Sequence, residues 1–105
     1  MNKKYQKEIK KITQQIVEKY KPEKIILFGS FAHGRPKENS DVDLVVIKKT
    51  RKRFMRRLFE ICQHIESEMG TDILVYTPKE WEEALDEENY FIKEISKKGK
   101  LIYAK

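Results

Sequence analysis

The stretch Leu27–Val46, LFGSFAHGRPKENSDVDLVV, governs the reading of this chain. It opens at the end of an apolar run, Lys24–Phe28 (KIILF), whose β-branched residues and closing glycine predict a buried strand. Gly29 and Ser30 begin a turn, and Ser30–Gly34 has room for one helical turn. Arg35–Ser40 (RPKENS) is polar, contains Pro36 and reads as a loop. Asp41–Ile47 (DVDLVVI) predicts a second strand. Its first half alternates, so Asp41 and Asp43 face one way and Val42 and Leu44 the other.

The flanks extend the pattern. Before it, Tyr5, Ile9, Ile12, Ile16 and Tyr20 recur three and four apart, with Val17 beside them. They predict a helix over Asn2–Lys21, ended by Pro22. After it, Phe54, Leu58, Ile61, Cys62, Ile65 and Met69 predict the buried stripe of a helix over Thr50–Met69, with Gly70 as a left-handed cap. Asp72–Tyr76 (DILVY) predicts a third strand. Thr77-Pro78-Lys79-Glu80 has the form of a capping box with proline at the first helical position, starting a helix through Trp81, Ala84 and Leu85. Tyr90–Lys97 follows as another short helix and Leu101–Tyr103 as a last strand. The long helix between strands two and three predicts a parallel, right-handed crossover. The short link between strands one and two favours a mixed sheet. The expected fold class is therefore α/β (α+β), a small mixed sheet of three to four strands with helices, in a single domain over residues 1–105.

Charged residues make up 38% of the chain, against about 25% for an average soluble protein. The 39% hydrophobic share still falls in clear periods and supports a core. A net charge of +6 suits acidic partners such as nucleotides or RNA, and equally suits a solvated lysine-rich surface. Abundant Lys and Glu also fit a protein of hot environments. The one cysteine, Cys62, excludes a disulfide within the chain and fits a reducing compartment. No apolar run reaches the roughly 18 residues of a membrane span, and the N-terminus MNKKYQKEIKK lacks a signal peptide's apolar segment. The expected location is cytoplasmic, with no membrane partner.

The chemistry lies in the central stretch. Asp41 and Asp43, two apart on a strand, have Cα atoms roughly 6.5–7 Å apart. Two carboxylates so placed repel each other unless a cation lies between them. Hard oxygen ligands favour Mg²⁺ or Mn²⁺, and Mg²⁺ is commonly held by one or two carboxylates together with substrate phosphates. A plainer reading is two solvated aspartates at a strand entrance. Gly29 lets backbone approach a phosphate, the amides that follow can point at an anion, and the Ser30 hydroxyl adds a donor. An ordinary turn with a helix N-cap has the same residues.

In combination the two halves are far more specific. Gly29, Ser30, Ala32, Gly34, Ser40, Asp41, Asp43, Leu44 and Val46 spell G-S-x-A-x-G, five residues, S-D-x-D-L-x-V. This resembles the signature of the minimal nucleotidyltransferases, a branch of the DNA polymerase β-like superfamily. The third strand with Asp72 and the T-P-x-E helix start resemble the family's later elements, so the likeness covers nearly the whole chain. It departs at His33, where the family often has arginine. The resemblance implies three carboxylates, Asp41, Asp43 and Asp72, as catalytic residues and ligands of two Mg²⁺ ions, with Mn²⁺ as a substitute. It implies Gly29, Ser30 and Ser40 as nucleotide-binding residues for ATP or another nucleoside triphosphate. A capping role at a strand end is the plainer reading of Asp72.

The chain ends just after Tyr103, without the added acceptor-binding domain of larger relatives, and so resembles the stand-alone form. That form is an antitoxin paired with a HEPN-domain ribonuclease toxin, and it transfers AMP from ATP to a tyrosine of that partner. Two alternatives stand beside this expectation: an antitoxin that acts by binding alone, and nucleotidyl transfer to RNA or a small molecule. No aromatic-interleaved stacking surface supports nucleic acid. Lys48, Lys49, Arg51, Lys52, Arg53, Arg56 and Arg57 form a basic run, read as a solvated helix start or a contact for triphosphate or an acidic partner. Cationic charge at a helix N-terminus opposes the dipole, which modestly raises the second without displacing the first. The acidic run Glu80–Glu88 suits a helix start. Trp81 is expected to pack or to anchor an interface, Cys62 to be inert core, and His64 to be exposed.

Overall fold

Local rules account for most elements of this computed structural model, which describes residues 3–34, 36 and 40–105. Helix α1 (Lys3–Tyr20) buries Ile9, Ile12, Ile16 and Tyr20 on one stripe, and Pro22 follows its end. The terminus is held from outside: Lys48 Nζ donates to the Tyr20 carbonyl at 2.6 Å and sits 4.9 Å over the Tyr20 ring. A cation there complements the helix dipole. Strand β1 (Lys24–Phe28) has the predicted bounds and β2 runs Val42–Ile47. After helix α2 (Phe54–Cys62) come β3 (Thr71–Tyr76), α3 (Pro78–Asp86), α4 (Tyr90–Lys98) and β4 (Lys100–Ala104).

The four strands form one sheet in the order β3-β2-β1-β4. β1 is antiparallel to β2 and β4, whereas β2 and β3 are parallel, so the sheet is mixed as expected. One face packs against α1 and α2, through Ile12, Ile16, Ile25, Leu44, Val46, Ile61 and Val75. The other packs against α3 and α4, through Val45, Ile47, Trp81, Ile92 and Ile95. Trp81 is thus a packing residue. Two caps fix the second layer. Thr77 Oγ1 accepts from the Glu80 amide and Glu80 Oε1 from the Thr77 amide, the predicted capping box. Asn89 Oδ1 caps α4 through the Ile92 amide. Gly99 lets α4 turn directly into β4, since a Cβ there would lie 2.6 Å from the Ile95 carbonyl oxygen and 2.8 Å from Ile26 Cγ2.

Helix α2 departs from the sequence reading. It ends at Cys62 rather than Met69. Beyond it the chain is captured by α1: the Glu66 amide donates to Gln15 Oε1 at 3.0 Å and Ser67 Oγ to Glu8 Oε2 at 3.1 Å. Ile65 and Met69 still pack on the core, so their spacing reported burial but not helix. Cys62 is exposed rather than core, and His64 is half-buried rather than exposed. Gly70 is no left-handed cap; positive φ among the glycines belongs to Gly29 and Gly34.

Arg57 is the other correction. It is buried, with side-chain exposure of only 7%, and joins α2 to α3. Its guanidinium meets the Glu80 carboxylate in two bonds, 2.7 and 3.2 Å, and also donates to the Lys52 and Val75 carbonyls. The hydrogen bond from Arg57 holds the Glu80 carboxyl below the usual range. Position 57 lies three after Phe54 and four before Ile61, on the helix's own buried stripe, and that was the available signal.

Candidate active site

The site is assembled by strand register. Asp43, second residue of β2, pairs with Phe28 of β1 on one side and Asp72 of β3 on the other. Neighbouring strands lie about 4.7–4.9 Å apart, so the two carboxylates leave adjacent strands side by side. Alternation puts Asp43 on the same face as Val45 and Ile47, which is the face covered by α3 and α4. Asp41 precedes β2 and is exposed. Burial raises the Asp43 pKa, and the negative charges of Asp72 and then Asp41 raise it further. The structure thus brings the three predicted carboxylates into electrostatic contact at one end of the sheet.

Each half of the D-x-D pair rests against a glycine. Gly29, at φ +74°, ends β1 beside Asp43, and a Cβ there would collide with Asp43 Oδ2. Two reasons therefore require glycine at this position, the positive φ and the close approach. A Cβ on Gly70 would collide with Asp41 Oδ1 in the same way. The Val42 amide also donates to the Gly70 carbonyl at 2.9 Å, tying the start of β2 to the residue before β3. The sequence reading missed this role of Gly70. Its signal was a glycine placed one residue outside a strand, as Gly29 is at the other side of the site.

After Gly29 the chain makes the predicted turn. The Ala32 and His33 amides donate to the Gly29 carbonyl at 3.1 and 3.3 Å. Phe31 and Ala32 are buried in the core and anchor the turn, while Ser30 is half-buried and His33 exposed. Ser40 is half-buried just ahead of Asp41. Arg35 and residues 37–39 of the expected loop lie outside the described residues.

The donor set is hard oxygen, suited to a divalent cation. Among the described residues no three acidic, histidine or cysteine side chains close into a cluster that holds a metal unaided. Mg²⁺ customarily takes one or two carboxylates and completes its shell with water and substrate phosphate. The basic run is not brought to this site. It follows the far end of β2, roughly 16 Å along the strand from Asp43 at about 3.3 Å per residue. Several members are engaged there: Lys49 with Glu23, Lys52 and Arg56 with Glu60, Arg57 with Glu80.

Residues 8–105 match the family described as Polymerase beta, Nucleotidyltransferase. The chain belongs to that nucleotidyltransferase family. A Methanocaldococcus jannaschii protein named "Putative protein adenylyltransferase MJ1215" is 31% identical over 69 residues, covering 66% of this chain and 79% of its own length. The crystal structure of "a putative nucleotidyltransferase from Sulfolobus solfataricus" superposes with a TM-score of 0.61 at 19% identity, over 94% of this chain and 79% of that one. At that identity the likeness concerns the fold. The nucleotidyltransferase fold thus agrees with the mixed four-stranded sheet and its helices. Among the described residues no helix is long and apolar enough to cross a membrane.

Proposed function

We propose that this protein is a Mg²⁺-dependent protein adenylyltransferase, which transfers AMP from ATP to a tyrosine of a partner HEPN ribonuclease and so neutralises it. The observation that carries the transfer chemistry is the register pairing of Asp43 with Asp72, beside Asp41 and against Gly29. The protein acceptor is supported by the M. jannaschii relative's name, and the HEPN partner by the resemblance of the signature to stand-alone antitoxins. In this reading Asp41 and Asp43 hold the metal and Asp72 completes the acidic group. The bound Mg²⁺ would supply charge neutralisation for the triphosphate and its leaving pyrophosphate.

The chain's own residues do the rest. The Gly29–Ser30 turn receives a phosphate, with the Ser30 hydroxyl as donor, while the space a Gly29 side chain would take is filled by the Asp43 carboxylate. Ser40 lines the approach to the carboxylates. The acceptor hydroxyl forms a bond to the α-phosphorus while the bond from that phosphorus to the β-bridging oxygen breaks. Asp72 accepts the hydroxyl proton, and pyrophosphate departs. In-line placement of the two oxygens is what rigid strand ends contribute.

Incubation with labelled ATP, Mg²⁺ and the product of the neighbouring gene tests the reading. Label should appear on a tyrosine of the neighbour with wild type and vanish with Asp41→Ala. Equal absence of label in both sinks it. Neutralisation that needs no ATP and survives Asp43→Ala identifies a protein that acts by binding alone. Label on RNA or on an aminoglycoside identifies a different acceptor.

A further inference from the structure

Strand β3 forms one edge of the sheet, and its backbone groups point alternately to β2 and outward. The Gly70 carbonyl accepts from the Val42 amide and the Tyr76 carbonyl from the Lys48 amide, both at 2.9 Å, so the even-numbered residues face β2. Thr71, Ile73 and Val75 therefore face outward. The Val75 carbonyl is taken by Arg57 Nη1 at 3.2 Å. Among the described residues the outward amides and carbonyls of Thr71 and Ile73 have no hydrogen-bond partner. The open part of this edge thus brackets Asp72, and the blocked part lies farther from the site. The other edge strand, β4, carries a bulge and begins with Lys100, both of which blunt an edge, and β1 separates it from β2.

An unpaired edge accepts an extended segment as a further strand. In antiparallel pairing, a residue directly opposite Asp72 sends its side chain to Asp72's own face, with the two Cβ atoms about 4.5–5.5 Å apart. Asp43, paired with Asp72 in register, shares that face, and Asp72 is exposed on it. A second copy of the chain paired about this short stretch would set Asp72 near its counterpart, like charge on like. A different chain meets no such obstacle, and charge specifies it further. The Lys52 carbonyl accepts from Arg57 Nε at 2.7 Å, which holds the start of the basic run beside Val75. Arg51 and Arg53 flank Lys52, are exposed, and make no ion pair among the described residues. The edge therefore runs from an acidic end at Asp72 to a cationic end at Val75, three residues or roughly 10 Å along the strand. We propose that the open edge of β3 is the docking strand for the acceptor protein. An extended segment of that protein pairs with Thr71 and Ile73 and stops at Arg57. Its tyrosine stands opposite Asp72, and an acidic side chain farther along meets Arg51 and Arg53. The proposal rests on the protein-adenylylation reading and adds the surface that receives the acceptor.

Amide hydrogen exchange, without ATP, reads the edge directly in the protein alone and mixed with the product of the neighbouring gene. The Thr71 and Ile73 amides should exchange fast in the free protein and become protected in the mixture, while the amides of β4 stay unchanged. The double variant Arg51→Glu, Arg53→Glu should raise the KM for the acceptor about tenfold and leave kcat and ATP affinity unaltered. Absent protection at Thr71 and Ile73, or an unchanged KM, overturns the proposal. Protection that appears in the protein alone as its concentration rises identifies a second copy as the occupant and also overturns it. If label reaches the neighbour while Thr71 and Ile73 stay unprotected, the docking strand fails and the transfer reading stands. If both amides are protected but no label is transferred, the transfer reading fails and the docking strand stands. A neighbour that neither binds nor takes label removes both.

Discussion

Asp43 sits where folding and binding pull in opposite directions. Burial, then Asp72 and Asp41, raise its pKa. The native state therefore binds this proton more tightly than the unfolded chain. Its contribution to stability falls as pH rises from an unfolded value of about 3.9 through the raised folded value. Asp43→Asn keeps the shape and removes the charge. Because the carboxylate is only partly buried, the gain at pH 7 is discounted for screening to about 0.5–1 kcal/mol, read as a higher urea midpoint at unchanged slope. The same variant should lose transfer. A lowered midpoint would mean that Asp43 makes favourable contacts outweighing the repulsion. Gly70→Ala should behave differently. No positive φ strains an alanine there, but its Cβ displaces Asp41 Oδ1. Displacement of about 1 Å at reacting geometry lowers rates roughly 100-fold. Transfer assays should record that fall while the melting temperature stays within about 2 °C. Transfer at the wild-type rate would remove Asp41 from the site.

At the scale of elements, Arg57 and Glu80 tie α2 to α3 around the edge of the sheet. Glu80→Ala breaks the capping box and leaves a buried guanidinium without its carboxylate. The expected loss is about 2–4 kcal/mol at pH 7, discounted from a fully buried pair because Glu80 is partly exposed. The depressed Glu80 pKa sets the pH window. Its contribution is fully present above an unfolded value of about 4.3 and is lost as pH falls through the folded value. Denaturation curves at pH 7 and pH 3 should show the wild-type advantage over Glu80→Ala shrinking in acid. A constant difference would mean that the ion pair contributes nothing. These elements also mark what the sequence could disclose. The capping box was legible because both its bonds are local, between residues three apart. So were β1, β3 and the closing strand, whose apolar runs end at turns. The end of α2 was not legible, because Gln15 and Glu8 of a distant helix capture residues 66 and 67. Arg57 was read by its charge and not by its place on the stripe. Within the site, Asp41, Asp43 and Gly29 were visible as a spacing, whereas the contact of Gly70 with Asp41 arises only when two strands meet.

Over the whole molecule, a net charge of +6 coexists with an acidic sheet end. Part of the basic run is paired internally at the opposite end of β2. In the proposed function a free triphosphate would approach like charge, and a divalent cation would accompany it. Thermal denaturation should show ATP with Mg²⁺ at one hundred times Kd stabilising the fold by about 2.7 kcal/mol. ATP with a chelator should give no shift, and an equal shift without metal would contradict the carboxylates' role. The glycines beneath the two aspartates carry a further, evolutionary consequence. In a descendant that gave up transfer and kept only binding, the aspartates would be free to drift. Position 70 would then accept an alanine, because the atoms a Cβ would meet first there all belong to Asp41. Position 29 would stay glycine, held by its positive φ. A side chain at position 70 beside a retained glycine at position 29 is therefore how a lapsed catalyst would announce itself in the genes of this lineage.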